Sequence, residues 1–139
     1  MHFDLVDAVL NQTETSITTI KHVSGAEEYL RDHFAGFPVL PGVMMLEAMV
    51  QAARRLVETG RDPAEPPLVL GAVRGLKYGR FVPPGCSLVV HCEAAPPADD
   101  GSIDIRANAD VREPDGTMSD QKAASGRLTL RPARTRQPR

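Results

Sequence analysis

Apolar residues fall first into short alternating runs, then into one long helical run, then into alternating runs again. Residues 3–10 (FDLVDAVL) and 15–23 (TSITTIKHV) cluster β-branched and apolar residues around a polar NQTE turn, which predicts a two-stranded hairpin. Ser24 and Glu27 have capping-box spacing and predict a short helix over residues 25–31. Residues 33–42 hold two prolines and two glycines, the composition of a stiff, specifically shaped loop. Residues 43–59 contain neither Pro nor Gly and stop before Gly60, predicting the longest helix of the chain. Its polar residues Glu47, Gln51, Arg54, Arg55 and Glu58 form one narrow stripe, so the remaining circumference should be wrapped by other structure.

A proline-rich segment, 61–67, returns the chain to a β pattern. Strands are predicted within 68–82, 86–95, 103–112 and 118–131, separated by turns at PPG, PPADDGS and EPDGT. The result is an α+β fold: a curved, largely antiparallel sheet of five to six strands around one long central helix. Residues 1–130 read as a single domain. The final RPARTRQPR, residues 131–139, has four arginines and no core residue, and reads as a disordered basic tail.

Composition narrows the setting. A net charge of −2 gives no chain-wide reason to expect nucleic acid or a membrane surface. No apolar run approaches the roughly eighteen residues of a spanning helix, and no basic leader precedes an apolar run near Met1. Cys86 and Cys92 share one predicted strand and fit neither a redox nor a zinc spacing. They read as two buried, reduced thiols of a cytoplasmic protein.

Chemistry concentrates at the loop–helix junction. His33 places an imidazole, the side chain suited to proton transfer near neutral pH, in the rigid loop. Glu47 sits early in the most apolar helix, where desolvation would favour a protonated carboxyl. Gly42 lies at the helix N-terminus, where free N–H groups can hold a carbonyl oxygen or oxyanion. Together these suit proton abstraction beside a carbonyl. Plainer readings compete: Glu47 can simply begin the surface stripe, which pattern alone favours, and His33 can be a hydrogen-bonded loop histidine. A His and a Glu fourteen apart, with no third ligand at helical spacing, do not make a metal site.

The stretch HFAGFPVLPGVMMLEAMVQ resembles the signature of the β-hydroxyacyl-ACP dehydratases, commonly written HFPGHPxxPGxxxxEAxxQ. His33, Phe34, Gly36, Pro38, Pro41, Gly42, Glu47, Ala48 and Gln51 match at unchanged spacing. FDLVDAVL and LGAVRGLKYGRFVPPGCSLVVHCE resemble the family's flanking segments. The resemblance implies a hot-dog fold and a homodimer, with a trimer of dimers as the larger assembly. It implies that His33 of one protomer faces Glu47 of its partner. His33 would remove the C2 proton of a 3-hydroxyacyl thioester, Glu47 would protonate the departing hydroxyl, and the Gly42 N–H would polarise the thioester carbonyl. Gln51 would hold Glu47. Phe34, Phe37, Val43 and Met44 would wall the acyl tunnel.

The resemblance also implies a partner, an acidic acyl carrier protein or a CoA thioester; Arg74, Lys77 and Arg80 form a local basic cluster that reads equally as its docking site or as a solvated strand face. No cofactor is implied beyond the substrate's own phosphopantetheine. Two positions depart from the pattern: Phe37 stands where the family has its second histidine, and Ala35 where it has a proline. Isomerising relatives carry Asp at the position of Glu47. The competing readings are a CoA-linked hydratase or thioesterase of the same fold, and an acyl-binding protein without turnover.

Overall fold

The computed structural model describes residues 3–134. Its β-sheet has six strands, all paired antiparallel: β1 (Ala8–Gln12), β2 (Ser16–His22), β3 (Leu68–Tyr78), β4 (Ser87–Ala94), β5 (Ile103–Arg112) and β6 (Met118–Pro132). They lie in the order β1-β2-β4-β5-β6-β3. The one α-helix among the described residues, α1 (Gly42–Glu58), packs on a single face of this sheet, chiefly against β4.

Period-two patterning decides which side faces the helix. In β5 every second residue, Ile103, Ile105, Ala107, Ala109 and Val111, is buried, while Asp104 and Arg106 are exposed. The helix answers with Met45, Ala48, Met49, Ala52, Ala53 and Leu56. Alanines occur on both sides of this contact, on α1 and at Ala107, Ala109, Ala123 and Ala124. A core built from small side chains brings backbone close to backbone, which suits a chain with 4% aromatic residues. Gly60, at φ +75°, follows the last turn and stops the helix.

The expected elements are present, with three differences. The first strand begins at Ala8, not at Phe3. Residues 3–7 instead lie against the helix: Leu5 and Val6 are buried, and the Leu5 N–H donates to Gln51 Oε1 at 2.8 Å. The predicted helix over 25–31 is a single 3-10 turn, η1 (Glu28–Leu30). Its capping box does not close, because the Glu27 carboxylate is taken by Lys21 Nζ at 3.1 Å and Ser24 Oγ accepts from the Ala26 N–H. Arg131 and Pro132, assigned to the tail by the sequence, are the last residues of β6 and pair with Val69 and Leu68. The rest of that tail, residues 135–139, lies outside the described residues.

Cys86 precedes β4 and Cys92 lies within it; both are buried and unpaired. Burial pushes the Cys92 thiol up to about 12.

Candidate active site

His33 is fixed by the loop that carries it. Its carbonyl accepts from the Val39 N–H at 2.9 Å, and its Nδ1 meets the Val39 carbonyl at the same distance. A carbonyl oxygen can only accept, so Nδ1 is the donor, and in the neutral ring it is Nε2 that presents the lone pair. The Phe34 ring stacks on the imidazole, centroids 4.3 Å apart. The loop is anchored behind by the Leu40 N–H donating to the Val82 carbonyl, with Val39 and Leu40 themselves buried.

The helix begins directly after this loop, with Pro41 as N-cap and Gly42 as first residue. The Gly42 N–H belongs to the first turn and has no intrahelical acceptor. The Tyr78 ring lies directly over this glycine: a Cβ there would lie 2.9 Å from its Cζ, so any larger residue would push the half-exposed ring aside. Tyr78 ends β3, and the next residue, Gly79, runs so close to β6 that a Cβ would overlap the Lys122 carbonyl. Gly79 and Arg80 stay bonded to β6 through the Ala123 and Lys122 carbonyls, which brings the chain to Val82, where it meets Leu40 of the histidine loop.

His33, Phe34, Gly42, Val43, Met45 and Tyr78 line a largely apolar cavity of about 560 Å³, with Arg80 and Phe81 at its wall. Partial burial pushes the Tyr78 hydroxyl up from its ordinary value. Arg80 is ion-paired with Glu113.

Glu47 is not part of this cavity. It lies on the exposed face of α1, one turn beyond Val43, which is 70% exposed. The burial that the sequence led us to expect for this carboxylate is therefore not supplied by its own chain. Gln51 holds it as expected: Nε2 donates to Glu47 Oε1 at 3.1 Å and to the Phe3 carbonyl at 3.0 Å. Because Gln51 Oε1 accepts from Leu5, the amide cannot flip, and its donor end stays on the carboxylate.

Two of the four expected wall residues, Phe34 and Val43, line the cavity. Met44 does not; it packs on the protein core, and Met45 takes the place. One residue rotates the side chain by about 100° around a helix, enough to exchange the two methionines. Phe37 stands at the rim, 55% exposed and edge-on to Phe81 with centroids 5.8 Å apart. The expected basic trio also divides. Arg80 belongs to the cavity wall and to Glu113, whereas Arg74 and Lys77 face a separate groove.

Tyr78, Gly79 and Phe81 were missed by sequence reasoning. The signal was the KYGRF break at the end of β3, which read there as a basic patch.

Comparison with known proteins agrees with this picture. Residues 9–113 match the ApeI-like family, described as ApeI dehydratase. The chain is 36% identical over 129 residues to the 3-hydroxyacyl-[acyl-carrier-protein] dehydratase FabZ of Lactococcus lactis, covering 92% of this chain and 83% of that one. It is 33% identical over 130 residues to FabZ of Pediococcus pentosaceus, covering 94% and 80%. Among solved structures, the dehydratase heterocomplex ApeI:P of Xenorhabdus doucetiae superposes with a TM-score of 0.64 at 16% identity, covering 94% of this chain and 99% of that one. The fluoroacetyl-CoA thioesterase FlK gives a TM-score of 0.65 at 20% identity, covering 84% of each chain. The two structures establish a shared fold.

Proposed function

This chain belongs to the ApeI-like dehydratase family, and from that premise we propose that it dehydrates 3-hydroxyacyl-ACP to the trans-2-enoyl thioester in acyl-chain biosynthesis. The observation that carries the reading is the state of His33. Its Nδ1 proton is committed to the Val39 carbonyl, so Nε2 is the nitrogen left for chemistry, a base in the neutral ring, on a residue that lines an apolar cavity. A base so oriented can take the C2 proton of a thioester bound there. The Gly42 N–H, beside it, stabilises the negative charge that develops on the thioester oxygen. As the C2–H pair forms the double bond, the C3–O bond breaks and the hydroxyl leaves as water with a proton from Glu47.

That proton comes from a second copy of the chain. Glu47 and the cavity of its own protomer are separate, while Phe34, Phe37, Val43, Tyr78 and Phe81 leave an exposed apolar rim around the cavity. A rim of this kind marks an association surface. A homodimer would cover it, desolvate Glu47 and bring that carboxyl opposite His33. The active unit is thus a homodimer in the cytoplasm, where its buried thiols stay reduced, and it needs no cofactor beyond the substrate's phosphopantetheine.

The test is a spectrophotometric assay with crotonyl and 3-hydroxybutyryl thioesters on ACP and CoA. Reversible hydration and dehydration are expected, with His33→Ala and Glu47→Gln each lowering kcat about 10²–10⁴-fold. Near-normal turnover by either variant would show the assigned roles to be wrong.

A further inference from the structure

Among the described residues, three that line the cavity carry polar side chains: His33, Tyr78 and Arg80. Two of them have partners within the chain. His33 Nδ1 is bonded to the Val39 carbonyl, and the Arg80 guanidinium is turned to Glu113. The Tyr78 hydroxyl makes no hydrogen bond to another described residue, and partial burial raises its pKa, so it keeps its proton and stays a donor at neutral pH. It is the one uncommitted side-chain donor that the described chain brings to this hollow.

The root of this side chain is fixed, and its tip is free to turn. Tyr78 ends β3, where it pairs with Ala124 of β6, and the next N–H, of Gly79, donates to the Ala123 carbonyl at 2.9 Å. Beyond that anchor the ring is half exposed and lies over Gly42. A Cβ on that glycine would come within 2.9 Å of Cζ, 3.0 Å of Cε1 and 3.2 Å of Cε2. It is therefore the hydroxyl-bearing end of the ring that covers the glycine. In a helix the Cα–Cβ direction tilts toward the N-terminus, the side to which the free N–H groups of the first turn also point. The phenol end and the Gly42 N–H thus converge on one space at the head of α1, within the cavity that His33 also lines.

We infer that the Tyr78 hydroxyl is a second donor to the thioester oxygen, acting beside the Gly42 N–H. The inference deepens the dehydratase reading above and rests on it for the identity of the ligand. When His33 takes the C2 proton, negative charge grows on that oxygen. The phenol stabilises it through a hydrogen bond and keeps its own proton throughout. A phenylalanine would furnish the same wall, so the hydroxyl is what calls for a reason. In an apolar hollow a hydroxyl costs free energy once water leaves it, unless it finds an acceptor. The second copy that covers the rim removes that water, and the bound thioester brings the acceptor.

Tyr78→Phe tests the hydroxyl alone, since ring and wall remain. For hydration of crotonyl-ACP, kcat should fall about tenfold to a hundredfold, the effect of losing one hydrogen bond to a charged acceptor. KM should change much less, because the neutral carbonyl of the ground state gains less from the donor. Tm should stay at the wild-type value, because the hydroxyl has no partner among the described residues. A second measurement avoids turnover. In His33→Ala, the isotope-edited infrared band of the bound crotonyl carbonyl should move to higher wavenumber when Tyr78→Phe is added, as one of its two hydrogen bonds is lost. Wild-type kcat in Tyr78→Phe would overturn the inference and make the residue a plain wall, leaving the dehydratase reading intact. An unmoved carbonyl band would overturn it too, and so would a loss of kcat accompanied by a lower Tm. A wild-type protein that turns over no crotonyl thioester would refute the dehydratase reading and, with it, the ligand assigned to Tyr78.

Discussion

Mixing two inactive variants tests whether the site is shared between chains. His33→Ala leaves Glu47 intact, and Glu47→Gln leaves His33 intact. Each homodimer carries a lesion at every site, so each should fall by the 10²–10⁴-fold that a proton-transfer group contributes. If the cavity of one protomer takes Glu47 from its partner, a mixed dimer has one site with both lesions and one with neither. Random reassortment makes about half the dimers mixed, and each then has one working site of two, so activity should return to about a quarter of wild type. The structure motivates this outcome because Glu47 stands outside the cavity that His33 lines, on a face left open in the single chain. The assay is crotonyl-thioester hydration after the two variants are co-expressed with different tags and the mixed dimer is enriched. Enrichment should raise recovery to about half of wild type. Activity that stays at background in the enriched mixed dimer would refute a shared site and require Glu47 to act within its own chain.

Three further outcomes follow from packing and charge. Gly42→Ala should change stability by less than about 1 kcal/mol in chemical denaturation, because its Cβ would meet Tyr78 Cζ at 2.9 Å but that ring is 51% exposed and can swing aside; a larger loss that Tyr78→Ala relieves would mean the ring is held in place. Thr19 is 1% exposed and its Oγ1 has no hydrogen-bond partner, so Thr19→Val should stabilise the fold by about 1 kcal/mol, read as a higher Tm. A lower Tm would show that the hydroxyl is satisfied in solution. Cys92 holds its proton to about pH 12 in the folded chain against an ordinary value of 9.0, so its contribution is complete below pH 9 and is lost as pH rises toward 12. Tyr29, pushed up to about 12 by burial and then by Glu27 and Asp7, acts in the same direction. Thermal melting should therefore fall steeply between pH 9 and 11, less so in Cys92→Ala, and a parallel fall in both proteins would remove Cys92 as a cause.

The centre of the sheet was legible because β2, β4 and β5 alternate inward and outward positions. The run IDIRANADVR forms β5 over its full length, with inward residues that pattern alone assigns. Legibility failed where a side chain found a better partner than the local one. Glu27 was expected to close a cap and instead meets Lys21, and Phe3 and Leu5 were expected in a strand and instead bind Gln51. The loop–helix motif gave His33, Gly42 and Gln51 their places. It could not give Tyr78 or Phe81, which arrive from a distant strand end, Tyr78 over Gly42 and both in the lining of the cavity. The basic trio divides for a related reason. Sequence proximity grouped Arg80 with Arg74 and Lys77, whereas strand register groups Arg74 with Arg127 and Arg106.

The apparent weakness of Glu47 in the sequence has a physical explanation in how the two reactive groups are held. His33 is held by two bonds to the Val39 backbone and by the stacked Phe34 ring, so its placement is complete within one chain. Glu47 is oriented by a side chain, Gln51, whose own orientation depends on the Leu5 N–H and the Phe3 carbonyl. A glutamate at position 51 would face Glu47 with a second carboxylate, and a lysine would leave the Leu5 N–H without its acceptor; an amide is the group that serves both ends. Such care over the orientation of an exposed carboxylate has no purpose on a solvated stripe, where Arg54 and Glu58 pair simply by helical proximity. It has one if the carboxylate must present a fixed oxygen to a substrate held by another chain. On the proposed reading, what pattern takes for the start of a surface stripe becomes an interface residue, its polarity serving chemistry in place of solubility.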